Sequence, residues 1–264
     1  MPEWIAIALL GLIEGVTEFL PISSTGHLLI AERFHWLPKQ SELFNVVIQC
    51  GAVLAVLAVF CRRAKDLALG WKQPANRDYL LKLFTAFFIT GLAGLILKKL
   101  GMTLEKEAVE PVLWATLIGG VVILVIERML KGKPGASEIT WRIAIMVAVG
   151  QLLAMIFPGT SRSGATILIA MAMGLSRPAA TEFSFLVGIP TLLAAGGYEI
   201  FSAIRHHETN QENWSMVLLG SVVAMITAFI VVKWLLRFVQ THTFNGFGWY
   251  RIALGIALLV LALD

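Results

Sequence analysis

At 264 residues, 58% of them hydrophobic and 14% charged, with a mean hydropathy of +0.79, the chain carries more apolar side chains than a water-soluble domain of its length can bury. It reads as an integral membrane protein. The net charge of +4 is not gathered into a basic patch with interleaved aromatics, which excludes a nucleic-acid partner.

In chain order, the first apolar region, 4 to 34, is broken in its middle by LPISSTGH and reads as helix, loop, helix. It lacks a basic leader and a small-residue cleavage site and holds Glu14 and Glu18, so it is expected to belong to the mature chain. Runs long enough to cross a bilayer follow at 44 to 61, 79 to 100 and 111 to 130. A second broken region, 141 to 175, carries FPGTSRSG. A short run at 184 to 198, a long one at 214 to 238 and a short one at 249 to 263 complete six expected spans. Cys50 and Cys61 both fall on the first span without CxxC or Cys/His spacing and read as packing residues.

The two broken regions align. An offset of 137 residues places Pro21-Ile22-Ser23-Ser24 on Pro158-Gly159-Thr160-Ser161, sends Glu14 onto Gln151, and carries the later spans of the first half onto those of the second. We read two repeats, 1 to 132 and 138 to 264, each a broken hairpin followed by three spans. If each hairpin is re-entrant, three crossings per repeat invert the second copy. The expected fold is therefore an all-α, inverted-topology membrane protein with six transmembrane helices and two re-entrant hairpins, whose tips meet near the midplane in a water-accessible cavity. Charge counting agrees: loops assigned to the cytoplasm hold 12 Lys and Arg, those assigned outside hold 6. The loop 237 to 251, with Arg251, is counted as cytoplasmic.

Chemistry concentrates at the tips. Glu14 and Glu18 stand four residues apart, so a helix stacks them on one face, where two carboxylates at membrane depth need a cation, a facing arginine or a shared proton. Structural hydrogen bonding inside a bundle is the plainer alternative. Ser23, Ser24, Thr25, Gly26 and His27 open the second half-helix, where N–H groups and the positive helix end favour an anion. One hydroxyl is expected to cap that helix. His27 suits acid/base work or phosphate donation. On the second tip, Arg162 offers a planar fork for phosphate oxygens beside Thr160, Ser161 and Ser163. A purely structural Arg162–Glu pair is the competing reading. Together these groups fit phosphoryl chemistry: Glu14 and Glu18 holding Mg2+ or Ca2+, Arg162 clamping oxygens, Ser24 or a water attacking, and His27 moving the proton.

Elsewhere the signals are weaker. Arg62, Arg63, Lys65, Arg128, Lys131 and Lys133 read as a cytoplasmic surface facing membrane lipid headgroups, and Glu182 as a helix-start carboxylate before the fifth span. The eight tryptophans read as interface anchors.

EGVTEFLPISSTGH and PGTSRSG resemble the two signature segments of the undecaprenyl-diphosphate phosphatase family, the bacitracin-resistance proteins of bacteria, and the resemblance extends over the whole chain in span layout. It implies removal of the terminal phosphate from undecaprenyl diphosphate, regenerating the carrier lipid for peptidoglycan and cell-wall synthesis. It further implies a bacterial plasma (inner) membrane location with the site open to the periplasmic face, dependence on a divalent cation, and bacitracin resistance. Carried over by position, the family's glutamates are Glu14 and Glu18, its serines Ser23 and Ser24, its histidine His27, and its second-motif pair Ser161 and Arg162. Thr160 stands where some relatives have an aromatic residue. A homodimer is left open. The rival reading is a lipid or phosphate transporter, since inverted repeats with broken helices also build alternating-access carriers; a nucleotide-dependent kinase is disfavoured, as no P-loop motif occurs.

Overall fold

The computed structural model describes residues 1–102, 104, 108–206, 209 and 212–263, apart from the side chains of 261–263. The regular elements among those residues are all helices, with turns and loops between them and no strand; one isolated bridge joins Ala136 and Leu175.

The first broken region forms α1 (Glu3–Thr17) and α2 (Ser24–Arg33), and the second forms α7 (Trp141–Ile156) and α8 (Arg162–Ala172). Between them lie α3 (Glu42–Val59), α4 (Cys61–Leu69), α5 (Pro74–Lys99) and α6 (Val109–Met129). After them come α9 (Arg177–Arg205), α10 (Trp214–Thr241) and α11 (Asn245–Leu263). Five of these, α3, α5, α6, α9 and α10, are long and apolar enough to cross a membrane, and α7, α8 and the described part of α11 are shorter apolar helices. The chain is a multi-pass membrane protein.

Helix starts follow from local chemistry. Ser41, Thr140 and Ser176 accept hydrogen bonds from the N–H three residues on, capping α3, α7 and α9. Pro74 and Pro178 occupy first-turn positions, where a missing N–H costs nothing. These caps explain the main departures from the sequence reading. α5 begins five residues before the expected 79, and α9 begins seven before the expected 184. Glu182 consequently lies in the second turn of α9, where it pairs with Arg63 at 2.9 Å instead of marking a helix start. Cys61 is not on the first span: α3 ends at Val59, and Cys61 opens α4, a short surface helix that buries Leu67.

α11 starts at Asn245, which puts Arg251 in its second turn, where it is 1% exposed. Arg251 is therefore removed from the cytoplasmic loop to which its neighbours had assigned it.

Small residues set the spacing around the broken helices. Gly15 of α1 packs so closely on α10 that a Cβ there would stand 2.6 Å from the Ala224 carbonyl oxygen and 2.7 Å from the Thr227 Cβ. α10 also packs on α3, α6 on α11, α5 on α7, and α9 on α3 and α8. The core runs between these helices, from Ile7 and Leu10 through Ile48 and Val53 to Phe183 and Val187. At one end, buried Glu127 of α6 receives both the Arg177 fork and the Phe244 N–H, the latter at 2.7 Å, tying α6, α9 and the start of α11 together. All eight tryptophans are exposed on the protein surface, as lipid-interface residues would be.

Candidate active site

Both tips are built by the same local device. Ser23 and Ser161 have left-handed backbones, with φ of 71° and 67°, and each side chain caps the helix that follows by accepting from the N–H of Gly26 or Gly164. Such conformations cost on the order of 1–3 kcal/mol each and persist only where surroundings enforce them. Matching the caps pairs Ser23 with Ser161 and Ser24 with Arg162. The sequence alignment, anchored on Pro21 and Pro158, had paired Ser24 with Ser161. The proline match misled because the linker between α1 and α2 (18 to 23) is one residue longer than the linker between α7 and α8 (157 to 161).

The tips meet in direct contact. Glu18, buried just beyond α1, accepts from Arg162 Nη2 at 2.8 Å through Oε1, and from the Ser24 hydroxyl at 2.8 Å through Oε2. Arg162 Nη1 makes a longer contact, 3.4 Å, to the Gly188 carbonyl of α9, near Pro190, whose missing N–H interrupts that helix's ladder. Ser163 is buried and donates to the Leu20 carbonyl at 3.0 Å, and Ser161 lies 3.4 Å from the same oxygen. These two serines brace one tip against the other.

Glu14 is buried one turn before Glu18, and its charge, with that of Glu18, acts on Arg162. Thr25 is half-buried in the first turn of α2. Thr160 donates to the Phe157 carbonyl at 2.7 Å, closing its own turn. His27 is joined neither to Ser24 nor to Glu18 by a described hydrogen bond. Its Nδ1 lies 2.7 Å from the Ser23 carbonyl, which can only accept, so Nδ1 carries the proton; Nε2 faces the Tyr250 hydroxyl of α11 at 2.7 Å. The Gln151 side chain, aligned with Glu14 in the sequence, donates to Thr90 at 3.0 Å within the α5–α7 packing.

The chain matches the family model described as bacitracin resistance protein BacA over residues 7–257. The chain belongs to the BacA family. It is 51% identical over 261 residues to a Rhizobium etli (strain CIAT 652) protein named undecaprenyl-diphosphatase, covering 98% of this chain and 97% of the relative. Proteins of the same name from Xylella fastidiosa (strain 9a5c) and Xanthomonas euvesicatoria pv. vesicatoria (strain 85-10) are each 50% identical, covering 98% and 97% of their own lengths.

Two residues of this BacA-family chain escaped the sequence reading. Tyr250 and Arg251 sit side by side on α11, far from both motifs in sequence, and next to Trp249 they had the look of an interfacial turn. Arg251 donates to five main-chain carbonyls: Thr116 through Nε, Pro21 and Thr160 through Nη1, Ala115 and Gly159 through Nη2. An arginine in the first turns of an apolar run was the available signal, since a charge at membrane depth is seldom idle.

Proposed function

We propose that this protein hydrolyses undecaprenyl diphosphate to undecaprenyl phosphate and inorganic phosphate. The observation that carries this is the chain Arg162–Glu18–Ser24, in which a carboxylate holds a hydroxyl from its own tip and a guanidinium from the other. Nucleophile, base and orienting group in mutual hydrogen-bond reach are what acyl- and phosphoryl-transfer sites share. The name carried by half-identical relatives supports the substrate.

On this reading the terminal phosphate settles at the N-terminal end of α2, with Arg162 turning part of its fork to the non-bridging oxygens. Ser24 passes its proton to Glu18 as its oxygen attacks the terminal phosphorus, and the bridging P–O bond breaks to release undecaprenyl phosphate. His27, presented by Tyr250 and unprotonated at Nε2, relays the first proton from Glu18 to the departing oxygen. Once that proton has gone to the departing oxygen, Glu18 takes one proton from the water that attacks the phosphoserine phosphorus and returns it to the Ser24 oxygen as the Ser24 O–P bond breaks, and inorganic phosphate leaves.

A divalent cation fits this site in one form. Among the described residues no group of three or more His, Cys, Asp or Glu converges, and both Glu18 oxygens already accept a hydrogen bond. That donor set suits an ion taking one or two carboxylates, Glu14 and Glu18, and its other ligands from the diphosphate and water, a pattern Mg2+ accepts more readily than Ca2+. When bound, it would neutralise charge on the diphosphate oxygens.

The two halves are proposed to be inverted repeats with re-entrant hairpins. Support comes from the matching caps and from packing that survives exchange of the halves, α1 on α10 answering α7 on α5, with α6 and α11 facing each other. An inner-membrane location with the site open to the periplasmic side is the reading that the lysine and arginine bias favours, now 11 against 6 with Arg251 buried. Purified protein is expected to release phosphate from a C55 or C15 prenyl diphosphate without any nucleotide. Transport of phosphate or phospholipid in liposomes with no such release would favour the carrier reading instead.

A further inference from the structure

We propose that Arg251 is the positioning residue that holds the two tips in register, and that Gly119 is the space that lets it do so. The proposal rests on the hydrolytic reading above. Five N–H groups in one rigid plane donate to five carbonyl oxygens from three separate stretches of chain, at 2.9 to 3.3 Å. Nη1 alone spans the tips, bonding Pro21 and Thr160, while Nη2 and Nε fix Gly159 and the α6 carbonyls of Ala115 and Thr116. Pro21 lies three residues from both Glu18 and Ser24, and Thr160 two residues from Arg162. The plane is thus a short link between the groups that form the ion pair.

The chemistry of the cage suits this task. All five donors of the guanidinium are occupied by neutral carbonyls, so the charge is stabilised by dipoles and stays distinct from the Glu18–Arg162 pair. A side chain 1% exposed in an apolar bundle, with three of its five acceptors (Pro21, Gly159 and Thr160) on irregular backbone, satisfies carbonyls that the broken helices leave without helical partners and ties them to α6. Lysine cannot replace it. A point charge with three donors on a flexible stem has no fixed geometry to impose on three segments. The opposing helix is shaped for the fork: a Cβ at Gly119 of α6 would stand 2.2 Å from Arg251 Nη2 and 2.6 Å from Cζ.

Two variants test it by different routes. Arg251→Lys keeps the charge and loses the plane; Gly119→Ala keeps Arg251 and pushes its plane off the carbonyls. Purified wild type and both variants are assayed for phosphate release from C15 prenyl diphosphate with Mg2+, alongside thermal unfolding in detergent. Displacement of reacting groups by about 1 Å costs about 100-fold in rate, so each folded variant is expected to lose about 100-fold in kcat with KM changed less than about threefold. A kcat within about threefold of wild type in either folded variant overturns the proposal, as does a loss that in both variants merely tracks loss of folded protein. If wild type itself releases no phosphate, it is the hydrolytic reading that falls.

Discussion

Glu18 has two oxygens and two partners, and each partner comes from a different problem. Arg162, with its side chain only 16% exposed, would cost several kcal/mol without an anion, and a serine hydroxyl needs an acceptor before it can be a nucleophile. One buried carboxylate meets both demands. Glu18→Gln keeps the shape and loses the charge, so phosphate release should fall by about 10³-fold or more, the scale of losing an electrostatic group in a dry site; single-turnover kinetics checks it. Ser24→Ala separates the two possible attacking oxygens. If Ser24 attacks, activity falls below about a thousandth and no phosphoserine can be trapped; activity at a tenth or more would assign the attack to water. Ser163→Ala removes a brace and not a reactant, so it should cost about 1 kcal/mol in stability, read as a lower unfolding midpoint, with turnover reduced far less than in Ser24→Ala. The pair Glu18 and Arg162 was legible because charges interrupting apolar runs stand out. The role of Ser163 was not, because nothing in its own neighbourhood says that its partner is a carbonyl some 140 residues away.

At the scale of the elements, the broken helices matter because α1 delivers Glu14 and Glu18 to a fixed depth against α10. Gly15 makes that approach possible. Gly15→Ala should push α1 outward; although alanine favours a helix over glycine by about 1 kcal/mol, the contact with the Ala224 carbonyl cannot yield without backbone movement. Both a lower unfolding midpoint and at least a tenfold loss of phosphate release are expected, and activity equal to wild type would mean that the depth of α1 is not critical. The breaks themselves were visible as Pro, Gly and hydroxyl clusters inside apolar runs. The starts of α5 and α9 were not, because polar first turns such as RPAATEFS lower hydropathy although Thr181 and Ser184 are buried in the bundle. Hydropathy measures what lipid tolerates. It does not register polar side chains that a helix satisfies internally, as Thr181 does on the Arg177 carbonyl at 2.8 Å.

For the molecule as a whole, the remote ends are held by charges that chemistry does not use. Glu127, Arg177 and the Phe244 N–H join three helices at a buried carboxylate. Glu127→Gln leaves Arg177 without its anion and should destabilise the bundle by about 3 kcal/mol, seen as a lower midpoint in detergent. That clamp, like Arg251, joins residues distant in sequence, which is why pattern reading within single segments missed both. The account as a whole depends on two tips forming one phosphate site. The most direct test is phosphate release from undecaprenyl diphosphate by wild type and Arg162→Ala, purified and assayed side by side with folding verified. The account predicts turnover by wild type and a loss of at least about 10³-fold in the folded variant; a folded Arg162→Ala protein working at near-normal rate would contradict it.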